Sequence, residues 1–105
     1  MRDDEVVLVG AVLEDACYSL DEFAAACRVS VQWVEHRVEE GLLGFAGEGP
    51  AGRRFSIQDM QRARRMHALE RDFDAVPELA ALVVDVLEEM DALRTRLERT
   101  GFGRM

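Results

Sequence analysis

The sequence predicts a mainly α, winged helix-turn-helix domain with a short N-terminal β-strand and a long C-terminal helix. Three observations lead there. Two short amphipathic stretches are separated only by Arg28-Val29-Ser30, the length of a helix-turn-helix connection. A glycine-rich segment, Gly47-Glu-Gly-Pro-Ala-Gly52, stands between Leu42-Leu43-x-Phe45 and Arg53-Arg54-Phe55, as two extended pieces around a flexible tip would in a wing. From Pro77 onward, Leu79, Val83, Val86, Met90, Leu93 and Leu97 recur at spacings of 4, 3, 4, 3 and 4, the rhythm of a helix that packs on a partner helix.

Each element has its own signal. Residues 6–12, Val-Val-Leu-Val-Gly-Ala-Val, are short and β-branched, which favours a strand. Ser19-Leu-Asp-Glu22 is a capping box, and Leu20, Phe23, Ala24 and Cys27 form the stripe of a first helix. Ser30 caps a second helix with Val31, Val34 and Val38 inward and Gly41 at its end. Ser56-Ile-Gln-Asp59 opens a third helix to about Arg71, with Ile57, Met60, Ala63 and Leu69 inward and its arginines outward. Pro77 suits the first position of the last helix, which over residues 77–99 would run about 35 Å. Leu82 and Leu87 widen its apolar stripe, so that its first half is expected to pack on the domain itself. The whole chain, residues 1–105, reads as one domain: the strand, a winged helix-turn-helix over 19–75, and the final helix over 77–99.

Composition narrows the function. The 105 residues carry 13 bases against 21 acids, a net charge of −8, and every base is arginine. An acidic chain is a poor binder of phosphate backbones, whose affinity is carried by clustered Lys and Arg. The charge is also unevenly placed. Residues 1–50 hold eleven acids and three arginines, whereas residues 53–71 hold six arginines against Asp59 and Glu70. Met-Arg-Asp-Asp-Glu has the wrong charge for a secretory signal, and the apolar runs fall short of the roughly 20 residues that span a bilayer. The expectation is a soluble, cytoplasmic protein with no membrane partner.

Little in the chain points to catalysis. Cys17 and Cys27 lie ten residues apart with no Cys-x-x-Cys, and Cys27 falls on an apolar helix face as a small hydrophobe. His36 and His67 lack a second ligand at i+3 or i+4, so no metal site or cofactor is expected. Gly47-x-Gly49-x-x-Gly52 matches the dinucleotide fingerprint as a string, but a strand-like Arg-Arg-Phe follows where that motif needs a helix. The three glycines read as the makings of a tight wing turn. The expectation is a non-enzymatic protein.

The second helix is the informative piece. It reads Ser-Val-Gln-Trp-Val-Glu-His-Arg-Val-Glu-Glu, with Glu35, Glu39 and Glu40 against the single Arg37. A helix that enters the major groove meets phosphates and base edges, where carboxylates are repelled. The glutamates form either an ordinary solvated face or an acidic surface around Trp33 that fits a basic protein. Trp33 itself suits an apolar anchor and core packing equally. The best DNA-contact candidates are Arg53 and Arg54 in the wing with Arg62, Arg64 and Arg65 on the third helix, although Arg62 and Arg65 can also pair with the acids of residues 72–91.

Val29-Ser30-x-x-Trp33-Val34, Val38-Glu39-Glu40-Gly41-Leu42-Leu43, Arg54-Phe55-Ser56, the arginine-rich third helix and a final helix ending in Leu-Arg-x-Arg-Leu together resemble the MerR-type winged-helix family, and within it the CbpM-type chaperone modulators. The resemblance covers most of residues 19–99. MerR-type DNA binders carry an Arg-Tyr-Tyr-like cluster on the second helix, where Val34 to Arg37 here is Val-Glu-His-Arg. What the CbpM-type resemblance implies is a regulator that binds the J-domain of a DnaJ-like co-chaperone and inhibits its action on Hsp70, with Trp33, Glu35, Glu39 and Glu40 as the partner-binding residues. The alternative is a MerR-family DNA-binding transcriptional regulator that uses Arg53, Arg54, Arg62, Arg64 and Arg65. In either case the heptad stripe of residues 77–99 suggests a homodimer.

Overall fold

A computed structural model describes residues 18–100; the strand expected over residues 6–12, and Cys17, lie outside them. Ser19 opens α1 (Leu20–Cys27) with a complete capping box: its hydroxyl accepts from the Glu22 N–H at 3.2 Å, and the Glu22 carboxylate accepts from the Ser19 N–H at 2.9 Å. The helix ends at Arg28, which adopts the left-handed conformation at φ 60°. There the N–H groups of Arg28 and Val29 close on the carbonyls of Ala25 and Ala24 at 3.1 and 3.0 Å. This is the usual glycine-type helix stop with an arginine in the glycine's place. Ser30 then caps α2 (Val31–Glu39), its hydroxyl accepting from the Trp33 N–H at 3.0 Å. Gly41, at φ 78°, ends the turn that follows.

The wing is a two-stranded antiparallel ribbon of β1 (Gly47–Gly49) and β2 (Gly52–Arg54), with Gly47 opposite Arg54 and Glu48 opposite Arg53. Gly47 and Gly49 therefore belong to a strand and not to the turn expected of all three glycines. Among them only Gly52, at φ 116°, needs the freedom glycine has. Beyond β2, Phe55 exchanges backbone hydrogen bonds with Tyr18 at 3.2 and 2.8 Å, tying the wing to the start of α1.

Ser56 and Asp59 form the second capping box, at 3.0 and 2.9 Å, and open α3 (Ile57–Phe73). The helix runs two residues past the expected Arg71. Met60 and Ala63 are buried and Leu69 half-buried as expected, but Ile57 is exposed at the first helical position and Met66 fills the interior instead. Pro77 begins α4 (Pro77–Thr100).

The interior is divided in two. Phe23, Val34, Leu43, Phe55, Met60 and Ala63 lead a core under α1, α2 and the wing, where Phe23 and Phe55 stack at 4.3 Å. Met66, Ala80, Ala81 and Val84 form a second cluster between α3 and α4. Two alanines at this crossing let the helix axes approach closely. The expectation that Leu82 helps pack α4 on the domain fails, since Leu82 is 59% exposed, while Leu87 is half-buried. The heptad stripe points away from the domain: Leu79, Val83, Val86, Met90, Leu93 and Leu97 are each between 37 and 53% exposed. Among the described residues no helix is long and apolar enough to cross a membrane.

The stop at Arg28 yields a prediction. Replacing Arg28 with Gly removes the cost of a side chain in the left-handed region, and stability in urea unfolding rises by about 0.5–1 kcal/mol.

Candidate functional site

Trp33 lies on the side of α2 that faces α3, and it is the one side chain among the described residues that packs against both core clusters. Its indole N–H donates to Glu70 Oε1 at 2.9 Å. Arg37, one turn further along α2, grips the same carboxylate in fork geometry, Nε to Oε2 at 3.0 Å and Nη2 to Oε1 at 2.8 Å. The guanidinium also lies 4.9 Å from the centroid of the Trp33 ring, whose other flank meets His67 edge-on at 5.5 Å. Glu40 completes the group by accepting from Arg37 Nη1 at 3.2 Å.

The electrostatics follow from this packing. The side chains of Arg37 and Glu70 are 12 and 14% exposed. Burial pushes the Glu70 carboxyl up, but the hydrogen bonds from Arg37 and Trp33 and the Arg37 charge outweigh it and hold the group below its ordinary value. The same hydrogen bond raises Arg37. A two-pronged arginine–carboxylate contact with an indole N–H on the same oxygen is a directional joint, and it sets how α2 lies on α3.

The four residues proposed for a partner thus divide. Trp33 belongs to the α2–α3 joint and Glu40 reaches its rim through Arg37 while staying exposed, whereas Glu35 and Glu39 are exposed on the outer surface of α2. Because Arg37 turns inward, the outward side of α2 presents Gln32, Glu35, His36 and Glu39 with no arginine among them. Glu35 also lines a cavity of about 340 Å³ with Val34, Val38, Glu48, Arg53 and Phe55, between α2 and the wing.

The five arginines considered for DNA do not form one surface. Arg62 donates to the Leu42 carbonyl at 2.9 Å and bridges Asp85 at 2.8 Å and Glu88 at 3.1 Å on α4. Arg65 reaches Asp91 at 2.9 Å. Arg64 points the other way, to the Ala26 carbonyl at 3.0 Å. In the wing, the Arg53 guanidinium lies 4.9 Å from the Phe45 ring centroid and its buried Nε lacks a hydrogen-bond partner, while half-buried Arg54 lies beside it in β2. The inward turn of Arg37 was the feature that sequence could not supply, because its partner lies 33 residues away.

Cys27 is buried, its thiol 3.9 Å from the Met60 carbonyl, and burial pushes its pKa up, against the lowering pull of the Arg64 charge. Among the described residues no three His, Cys, Asp or Glu side chains converge as a metal site would require.

The family described as MerR HTH family regulatory protein matches this chain over residues 18–100. Comparison with curated proteins and with solved structures yields no match.

The α2–α3 joint is testable by stability. Glu70→Ala strands a half-buried guanidinium and an indole N–H, and costs about 2–3 kcal/mol at pH 7 in urea unfolding. Because the Glu70 carboxyl titrates below its ordinary 4.5 when folded, its contribution is present above that pH and is lost as the pH falls through the folded value. Glu70→Gln, which keeps an acceptor for Trp33, accordingly shows a smaller loss of stability between pH 7 and pH 3 than the parent chain.

Proposed function

The chain belongs to the MerR HTH family of regulatory proteins, and on that premise we propose that it is a non-enzymatic cytoplasmic chaperone modulator that binds the J-domain of a DnaJ-like co-chaperone. By covering the basic surface that the J-domain offers to Hsp70, it damps the co-chaperone's action. The observation that carries this reading is the inward turn of Arg37 onto Glu70, which leaves the outer side of α2 acidic. Glu35 and Glu39 are the charges that meet the partner. Trp33 and Glu40 hold the helix that bears them, through the joint with Arg37 and Glu70. An acidic surface of this kind attracts a basic helix, speeds encounter and rejects acidic partners. Arg62 and Arg65, which a phosphate backbone would require, are instead engaged with acids of α4.

A second reading, a MerR-family DNA-binding transcriptional regulator, is favoured by the wing, where Arg53 and Arg54 follow one another in β2 and so place one guanidinium on each face of the ribbon. In either reading the chain acts as a homodimer through α4. The support is the stripe from Leu79 to Leu97, which lies on the opposite side of the helix from the residues that pack on α3.

Two measurements test these readings. In calorimetric titration of the full chain against the full-length J-domain protein of the same cell, binding is expected at micromolar concentration and weakens with salt. The double variant Glu35→Lys with Glu39→Lys binds at least about tenfold more weakly, while Arg53→Gln with Arg54→Gln binds as the parent does. Absence of binding at low salt contradicts the proposal. Duplex DNA binding that falls steeply with salt and is lost in the wing variant favours the second reading. For the oligomer, sedimentation at tens of micromolar gives a dimer for the parent and a monomer of unchanged helix content for Leu93→Glu; a monomeric parent contradicts it.

A further inference from the structure

On the side of α3 away from α4, the structure gathers positive charge in a way the acidic composition conceals. Arg64, His67 and Arg71 follow one another at i, i+3 and i+7 and so share a face of α3. That face looks onto the end of α1, where the left-handed turn throws Arg28 outward. Together with Ala26 and Cys27 these four side chains line a cavity of about 410 Å³.

Three features make this more than a chance grouping of surface charges. First, two of the cations are unspent: among the described residues no ion pair engages Arg28 or Arg64, while Arg71 is held by both oxygens of Asp72 at 2.9 and 3.3 Å, which places one carboxylate at that edge of the cavity. Second, three of the last four carbonyls of α1, whose partial negative charge would repel an anion, are satisfied. The Arg28 and Val29 N–H groups satisfy two of them, and Arg64 Nη2 holds that of Ala26 at 3.0 Å. Third, the hydrogen bond to Ala26 fixes one nitrogen of Arg64 and so positions the guanidinium at the cavity.

We infer that this cavity between the end of α1 and the Arg64–His67–Arg71 face of α3 binds the doubly charged phosphate group of a small phosphomonoester. Guanidinium groups present paired N–H donors that match two oxygens of such a group, and a dianion gains from both unpaired arginines at once. The cavity is larger than a phosphate group alone, and its remaining wall, Ala26 and Ala68, is apolar. The site is distinct from the acidic side of α2 and stands whether or not a J-domain binds there. It touches the α2–α3 joint through His67, which lies against the Trp33 ring.

The test is calorimetric titration of the full chain at low salt with inorganic phosphate, adenosine monophosphate and uncharged adenosine. Saturable binding of adenosine monophosphate, without adenosine, supports the proposal; binding of phosphate as well locates recognition in the phosphate group, and phosphate alone marks a site for the free ion and overturns the phosphomonoester assignment. Arg28→Gly and Arg64→Gln each weaken binding about tenfold, the worth of one charge-assisted hydrogen bond. Arg28→Gly is expected to fold more stably than the parent, so its loss of binding is not a loss of structure. The wing variant Arg53→Gln binds as the parent does, and an equal loss there overturns the site by showing a general charge effect. No saturation by either phosphate compound also overturns it, as does a result in which only duplex DNA binds and Arg28→Gly weakens that binding, which assigns the cavity to a nucleic-acid surface.

Discussion

The contact on which this structure depends is the carboxylate of Glu70, held at once by the Arg37 fork and the Trp33 indole N–H. The interior is two small clusters and not one, and neither is large. Trp33 packs on both, and Arg37 and Glu70 lock it in place. Because the joint is directional, it adds to the burial of Val34 in the first core in setting the rotation of α2 about its own axis. The rotation decides which side chains of the helix meet solvent, so a contact in the interior sets the chemistry of the surface.

That consequence is clearest in the charges. Arginine is the only base in the chain, against a net charge of −8. Three of the arginines are committed to acids across the fold: Arg37 to Glu70, Arg62 to Asp85 and Glu88, Arg65 to Asp91. The pairs to α4 are partly exposed and individually weak, but they orient the last helix across α3. The same orientation presents the leucine-rich stripe outward. Structural use of the arginines thus leaves an acidic helix-turn-helix face on one side and a small cluster of unpaired arginines at the end of α1 on another.

The capping signals were legible in the sequence. Both capping boxes form with the residues that spell them, Ser19 with Glu22 and Ser56 with Asp59, because a cap is satisfied within four residues and needs no tertiary partner. The helix-turn-helix spacing and the heptad stripe are of the same kind. Tertiary choices were less legible. Ala80, Ala81 and Val84 pack α4 where Leu82 was the obvious candidate, since close helix crossing rewards small apolar side chains over large ones. The wing glycines looked like a turn because a three-residue strand carries too little periodicity to announce itself. The left-handed Arg28 had no signal at all, as arginine is not the residue that conformation favours. For the site, the acidity of α2 could be read directly. The division between Trp33 and Glu40 in the joint and Glu35 and Glu39 outside it could not, because it depends on Glu70, 33 residues beyond Arg37 and 37 beyond Trp33.

In the proposed reading, an interior joint turns the acidic side of α2 toward a basic protein partner. Amide hydrogen exchange on the full chain, alone and mixed with the J-domain co-chaperone, tests it most directly. Slowed exchange is expected only in α2 and the residues beside it, with the wing unchanged, and the footprint is lost when Glu70→Ala frees the helix. A footprint centred on Arg53 and Arg54, or none at all, would contradict it.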